Sequence, residues 1–332
     1  MIRVKIAGIG AYLPARRVHN NELAETLDTS DDWIVSHTGI SYRHLASEDD
    51  SASSMGLSAA RDALKMAGVE PMELGKIILS STTADFAPIP ATACLIQREL
   101  GALNAAAFDL AAACCGFVYG LEMTRGMMQF DKRPTLLIGS ELMSRIIDWK
   151  DKKTCVLFGD GAGAAVLKVA DEADGFGFDT VESGILDTYM RADGSGADFL
   201  QLEGGSRTPQ SRYETNASTL HMDGRAVFSF AIRTMPEVIS TLLTRNHLKM
   251  SDVDWIVPHQ ANYRIIKSAA SRLNIPLERF FLNVDEVANT ASASIPIALT
   301  EMYQKGMLQP GTKIITVGFG AGLTYGGNLL AW

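Results

Sequence analysis

Cys114 stands in Phe108-Asp109-Leu110-Ala111-Ala112-Ala113-Cys114-Cys115-Gly116-Phe117, an apolar run that reads as a buried strand turning sharply into a helix. A thiol at the first turn of a helix faces unpaired backbone N–H groups and the positive end of the helix dipole, which favour thiolate over thiol and make a nucleophile. The small residues Ala111 to Ala113 and Gly116 allow a tight turn that leaves the sulfur open to a substrate. Free cysteine is also among the residue types most often buried, so core packing is the competing reading of the same run. Cys115 is an alternative nucleophile, because neighbouring thiols seldom share one exposure. His259 is the second chemical candidate: it follows Trp255-Ile256-Val257-Pro258 at the C-terminal end of an apolar strand, the edge where open α/β sheets collect ligands. The polar stretch Pro258-His259-Gln260-Ala261-Asn262 between that strand and a helix suits an imidazole with a chemical task.

Positioning these residues requires a large core, and the chain has the means. Its 332 residues are 47% hydrophobic and 20% charged, ordinary for a globular protein and enough for two domains or one duplicated domain. Four cysteines (94, 114, 115 and 155) are too few for a disulfide scaffold, and the adjacent pair lacks zinc-site spacing. Met1 to Ile6 reads as an immediate strand with no secretory h-region, and no uninterrupted apolar run reaches a membrane span, so a cytoplasmic protein without membrane contact is expected. A net charge of −8 argues against nucleic acid as the main partner.

The pattern is α/β, with strands and helices alternating: helix over Ser53 to Ala67, strand over Lys76 to Ser80, helix over Ala93 to Leu100, then the cysteine run and a strand from Pro134 to Glu141. Gly8-Ile9-Gly10 lacks the third glycine and the helix of a dinucleotide fingerprint, and Cys155 to Leu167 reads as two strands joined by a glycine turn rather than a phosphate loop. Asn20 to Glu25 and Thr29 to Ile34 look like capped helix starts, the second carrying Trp33, either a core ring or a partly exposed one able to stack on a flat ligand. Residues 171–216 lose periodicity, which sets a boundary between halves 1–172 and 173–332 and a long excursion that covers the active site. The second half then repeats the first: Gly68 to Leu79 has the plan of Leu248 to Val257, and Pro134 to Glu141 that of Gly311 to Gly318. After each early strand come a polar loop, a helix, a strand and a small-residue turn, which holds Cys114 in one half and Asn289 in the other. A duplicated unit places equivalent turns about a pseudo-dyad, so Cys114 and Asn289 are expected to share one cleft.

Ala111-Ala112-Ala113-Cys114-x-Gly116-Phe117, Val257-Pro258-His259-Gln260-Ala261-Asn262 and Asn289-Thr290-x-x-x-Ser294 together resemble the β-ketoacyl-acyl carrier protein synthase III enzymes of the thiolase fold. Asp32-Trp33-Ile34-x-x-x-Thr38-Gly39-Ile40, Phe158 to Gly163 and Phe319-Gly320-x-Gly322 extend the likeness over nearly the whole chain. The resemblance implies two βαβαβαββ halves in a five-layered αβαβα arrangement, a homodimer, and no cofactor or metal, with acyl-CoA and malonyl-acyl carrier protein as substrates. It also implies a catalytic set of Cys114, His259 and Asn289. Elongating relatives carry a second histidine where this chain has Asn289, and biosynthetic thiolases carry a second catalytic cysteine. Cys114 then takes the acyl group from CoA, the backbone N–H groups of Cys114 and Gly320 form the oxyanion hole, and His259 and Asn289 donate to the enolate left by decarboxylation. The family motif sets the reactive sulfur at Cys114 rather than Cys115.

The same resemblance assigns Trp33, Lys152, Asn262 and Arg264 to CoA and pantetheine. Ile89 becomes the residue that a partner subunit inserts at the end of the acyl pocket, where many relatives carry phenylalanine. His37 and Lys152 stand where arginines are common, and lysine keeps charge while losing the fork geometry. Arg225, Arg233, Arg264, Lys267 and Arg272 fall on two predicted helices near His259 and offer a basic face to an acidic carrier protein, Arg264 and Arg272 matching family positions. The expected activity is the condensation that initiates fatty-acid synthesis. A related ketosynthase or acyltransferase of secondary metabolism or cofactor synthesis, and a non-catalytic acyl-binding scaffold, are the alternatives.

Overall fold

Ile77, Ile78 and Leu79 have no solvent exposure, as three consecutive β-branched or long aliphatic residues require when both faces of a sheet are covered. The computed structural model, which describes residues 2–86, 89–170, 183–202 and 219–332, places them in β4 (Lys76–Ser80) between two parallel neighbours, β5 (Ala106–Leu110) and β6 (Thr135–Glu141). β7 (Gly161–Val169) runs antiparallel to β6, and β1 (Val4–Tyr12) antiparallel to β7, giving the order β1-β7-β6-β4-β5. The second sheet joins β11 (Trp255–Pro258) in parallel to β12 (Lys313–Gly320), then β13 (Thr324–Ala331) and β8 (Gly184–Ala192) antiparallel. Its order, β8-β13-β12-β11, repeats β1-β7-β6-β4. Where β5 would be matched, a single parallel bridge from Ile256 to Phe280 stands in for the strand expected from the sequence. Two short antiparallel pairs, β2 (Arg16–His19) with β3 (Tyr42–Leu45) and β9 (Leu200–Leu202) with β10 (Leu220–Met222), lie outside the sheets.

Helices separate and cover the sheets. Helix α1 (Asn20–Ala24) and α2 (Asp31–Thr38) precede the first outer layer, in which α3 (Ala52–Ala67) packs on β1, β6 and β7 with α4 (Thr92–Leu100) beside it. Gly8 and Gly10 serve this packing: a Cβ there would stand 2.2 Å from the Ala63 carbonyl and 2.3 Å from the Ala59 carbonyl. Helix α5 (Gly116–Met127) lies between the sheets, against β4 and β6 on one side and β12 and β13 on the other. On the far face α6 (Gly224–Arg245) covers β12 and β13, flanked by α7 (Tyr263–Leu273). The short α8 (Val284–Val287) leads to α9 (Ser294–Gln304), the second central helix, packed on β1, β7 and β11. The result is five layers, αβαβα, with Ile295, Ala298, Leu299 and Met302 of α9 in one cluster with Phe117, Val118 and Leu121 of α5. Burying each large aliphatic or aromatic side chain of that layer contributes about 1.5–3 kcal/mol before chain entropy is counted.

One further expectation changes. The segment from Cys155 does not form a strand and a glycine turn: Cys155 N–H bonds the Asp151 carbonyl, Leu157 N–H bonds the Thr154 carbonyl, and the single strand β7 begins at Gly161. Its backbone is already committed, to the Asp151 turn and to Asn289 beyond it. The proposed boundary at residues 172 and 173 falls outside the described residues, as do 171–182 and 203–216 of the long excursion. Among the described residues only α6 has the length and hydropathy of a membrane span, and its Phe230, Met235, Val238, Ile239 and Leu242 are buried in a core cluster with Ile256, Ile315 and Leu329.

Candidate active site

Ala113 and Ala291 share a backbone conformation that alanine seldom adopts, with φ of 47° and 43°. Each opens a 3-10 turn, Ala113–Cys115 or Ala291–Ala293, that feeds a central helix, α5 or α9. Left-handed backbone at a non-glycine residue costs about 1–2 kcal/mol, and such strain is held by the packing around it. The two turns touch, so the small residues seen in sequence do bring the Cys114 and Asn289 segments together.

Cys114 is 9% exposed, and that exposure faces a cavity of about 300 Å³ shared with His259, Asn289 and Gly320. Burial pushes its thiol up to about 12, and a negative charge at the neighbouring Glu141 would act in the same direction. The thiolate and the open sulfur expected from the sequence are therefore corrected. The α-helix itself begins at Gly116, beyond the cysteine, and loss of water outweighs the terminus. Cys115 has no exposure, does not line the cavity, and belongs to the core with Val118, Leu121 and Val257.

His259 sits just past β11, its N–H donating to the Val317 carbonyl at 2.7 Å and its ring edge-on to Phe319 with centroids 5.3 Å apart. Burial pulls its pKa down to about 3, so the ring is a neutral imidazole, and Nδ1 has no hydrogen-bond partner among the described residues. Asn289 is pinned on three atoms: N–H to the Leu157 carbonyl (2.9 Å), carbonyl from Gly159 N–H (3.1 Å), and Oδ1 from Ala291 N–H (2.9 Å). With Oδ1 engaged, the Nδ2 amide is the group left to donate into the cavity. Gly320 ends β12 against the backbone of Cys114, where a Cβ would come within 2.9 Å of Cys114 N.

Trp33, His37, Lys152, Asn262 and Arg264 also line the cavity, all but the half-buried Asn262 being exposed. Trp33, on α2, is 38% exposed and stacks on His37 with centroids 4.3 Å apart, which decides for the partly exposed ring. Lys152 Nζ lies 5.7 Å from the Trp33 ring centroid and donates to the Asp28 carbonyl at 3.0 Å. Asn262 caps α7, its Oδ1 accepting from Arg264 N–H at 2.8 Å, while its Nδ2 donates to the His37 carbonyl at 3.1 Å. Leu200, from the described part of the long excursion, and Met222 of β10 line the cavity as well, with Val156, Leu157 and Phe228.

Other candidates lie elsewhere. Ile89 is 83% exposed and outside this cavity. Arg225, Arg233, Lys267 and Arg272 are exposed side chains of α6 and α7 that do not line it, and Arg233 lies 3.9 Å from Asp193. Glu141, missed from the sequence, is buried beside this site and bonded to Ser292 and Thr82. Its only sequence signal is a carboxylate closing a run of buried aliphatic residues.

Comparison with known proteins fits this geometry. Residues 108–194 match the family model 3-oxoacyl-[acyl-carrier-protein (ACP)] synthase III, and residues 243–332 match the model of that family's C-terminal part. A β-ketoacyl-[acyl-carrier-protein] synthase III of Clostridium beijerinckii is 44% identical, with 100% of both chains covered. The crystal structure of 3-oxoacyl-[acyl-carrier-protein] synthase III from Aquifex aeolicus superposes with a TM-score of 0.89 at 40% identity, covering 99% of this chain and 100% of that one. The priming β-ketosynthase of the R1128 polyketide pathway gives 0.89 at 33% identity, covering 99% and 96%. With full-length identity of this order and the thiolase-like five-layered fold in common, the chain belongs to the 3-oxoacyl-[acyl-carrier-protein] synthase III family of condensing enzymes.

Proposed function

We propose that this chain catalyses the condensation that initiates fatty-acid synthesis, joining a short acyl-CoA starter to malonyl-acyl carrier protein through an acyl-Cys114 intermediate. The observation that carries the reading is the meeting of Cys114, His259, Asn289 and Gly320 in one cavity that Trp33, Lys152, Asn262 and Arg264 also line. In the first half-reaction the Cys114 sulfur attacks the thioester carbon. Its proton passes to the neutral His259 imidazole and on to the departing CoA sulfur, so acyl-enzyme and free CoA thiol form without a net proton. The tetrahedral oxyanion is held by the N–H groups of Cys114 and Gly320, a donor of this kind being worth roughly 3 kcal/mol.

In the second half-reaction malonyl-carrier protein loses carbon dioxide and leaves an enolate. His259 and Asn289 Nδ2 donate to its oxygen, and its carbon attacks the acyl group and expels the Cys114 sulfur, which regains a proton from water. Trp33 offers a face to the CoA base and Lys152 a charge to its phosphates, while Arg264 and Arg272 meet the acidic carrier protein. No cofactor enters this scheme. A homodimer suits the molecule because, among the described residues, β5 ends its sheet without a neighbour and Ile89 is exposed. Four free cysteines suit the cytoplasm.

The test is product analysis with a panel of acyl-CoAs and malonyl-carrier protein. Formation of 3-ketoacyl-carrier protein from a short starter, with one carbon dioxide released per product, supports the reading. Product only with an unusual starter or acceptor moves the enzyme to specialised metabolism, the reading favoured by likeness to the R1128 priming ketosynthase. No condensation with any starter overturns it.

A further inference from the structure

Glu141 closes β6 with no solvent exposure, and none of the ion pairs among the described residues includes it. Its Oε2 accepts from Thr82 N–H (3.0 Å), Thr82 Oγ1 (2.7 Å) and Thr83 Oγ1 (3.0 Å), all in the loop after β4. Its Oε1 lies 2.6 Å from Ser292 Oγ, in the turn that follows Asn289. Ser292 Oγ lies in addition 2.9 Å from the Ser80 carbonyl oxygen. A hydroxyl carries one hydrogen and a carbonyl oxygen can only accept, so the contact with Ser80 takes the serine hydrogen. Both contacts are satisfied together only when the proton between Oε1 and Ser292 comes from Glu141. A separation of 2.6 Å is that of a strong O–H···O bond.

We propose that Glu141 is a positioning residue that works as a neutral carboxylic acid: Oε1–H donates to Ser292 Oγ and Ser292 donates to Ser80, tying the Asn289 turn to the sheet that carries Cys114. Burial pushes the Glu141 carboxyl up, in the same direction as the geometry. The groups packed around it are the neutral hydroxyls of Ser81, Thr82, Thr83 and Ser292, the Ser292 N–H at 3.4 Å from Oε1, whose lone pair is free to accept it, and the Cys114 thiol, which a charge at position 141 would push up. A thiolate at Cys114 and an enolate in the same cavity are both anions. A carboxylate at position 141 would oppose each, whereas the acid holds the two turns in register without doing so. This arrangement deepens the proposed reaction, and it rests on that reading only for its kinetic consequences.

Infrared spectroscopy of the dimer or monomer as isolated, at about pH 7–8 and thus well above the ordinary glutamate pKa of about 4.3, tests the protonation state directly. The expected result is a carboxylic-acid carbonyl band that is absent in Glu141→Gln and displaced in Ser292→Ala. Glutamine can donate to Ser292 and accept from Thr82 and Thr83, so Glu141→Gln should keep Cys114 acylation within about threefold of the wild type, while Glu141→Ala loses about tenfold or more. The pH profile of Cys114 alkylation by iodoacetamide should coincide for the wild type and Glu141→Gln. A missing band, a Glu141→Gln alkylation profile displaced to lower pH, or Glu141→Gln no better than Glu141→Ala would overturn the proposal. If Glu141→Gln fails to fold, the wild-type band and its displacement in Ser292→Ala decide. Absence of acylation in every variant, wild type included, with the band present counts against the proposed reaction and not against the protonated acid.

Discussion

Gly320→Ala isolates the contact between the end of β12 and Cys114, the proposed nucleophile. Gly320 has φ −173° and ψ −166°, extended backbone that alanine adopts freely, so the substitution acts through space alone. Its Cβ would stand 2.9 Å from Cys114 N, 3.0 Å from Cys114 Cβ and 3.4 Å from Cys114 Cα. Comfortable heavy-atom contact begins at about 3.5 Å, so the two segments must part by roughly half an ångström. A misplacement of about 1 Å costs on the order of 100-fold in rate, so half of that costs about tenfold. If the displaced Cys114 N–H no longer reaches the oxyanion, a further loss of about 100-fold or more is added. Stability should fall by about 1–3 kcal/mol, the usual cost of an overpacked core position. The assay is the single-turnover rate of Cys114 acylation by acetyl-CoA, followed by quenched intact mass, with calorimetric Tm alongside. A slower acylation by at least about tenfold in a folded variant is expected. Wild-type acylation with wild-type Tm would refute the placement of Gly320 against the Cys114 sulfur proposed to react.

Three other outcomes follow from the site. Asn289→Asp keeps an oxygen for Ala291 N–H but removes the amide donor, so carbon dioxide release from malonyl-carrier protein should fall about 100- to 1000-fold while Cys114 acylation persists; equal loss in both half-reactions would contradict it. His259 is held neutral, with a pKa drawn down from 6.5 to about 3 by burial. A depressed histidine contributes stability that is full above its unfolded pKa and is lost as pH falls toward the folded one, so denaturant titrations at about pH 7 and pH 4 should show a smaller acid loss in His259→Gln than in the wild type. Equal losses would sink that assignment. Arg272→Glu, outside the cavity, should slow condensation several-fold at low salt and leave acylation by acyl-CoA unchanged, because an exposed charge acts on encounter; unchanged condensation would remove Arg272 from the docking face.

The architecture was readable wherever local pattern carries the information. Ile77-Ile78-Leu79 and Trp255-Ile256-Val257 are strands because apolar runs of that length bounded by turn residues have few other solutions, and the repeated order of elements foretold the meeting of the Cys114 and Asn289 turns. Electrostatics was not readable in this way. A cysteine before a helix suggests a thiolate, yet the burial that pushes Cys114 up to about 12 depends on β12, Phe158 and the second turn, all distant in sequence. The Glu141 to Ser292 bond spans 151 residues and leaves no local trace beyond a carboxylate at a strand end. The strand expected before the Asn289 turn shows the limit of pattern as well, because it is reduced to one bridge, at Phe280.

The central claim is that Cys114 holds the acyl group between two half-reactions. Intact mass of the wild type and Cys114→Ala, each mixed with acyl-CoA and then chased with malonyl-carrier protein, tests it most directly. A mass gain equal to one acyl group on the wild type, absent from Cys114→Ala and discharged by the chase into a 3-ketoacyl product, is the predicted result. Acylation that persists in Cys114→Ala would move the nucleophile to another residue and contradict the site described above.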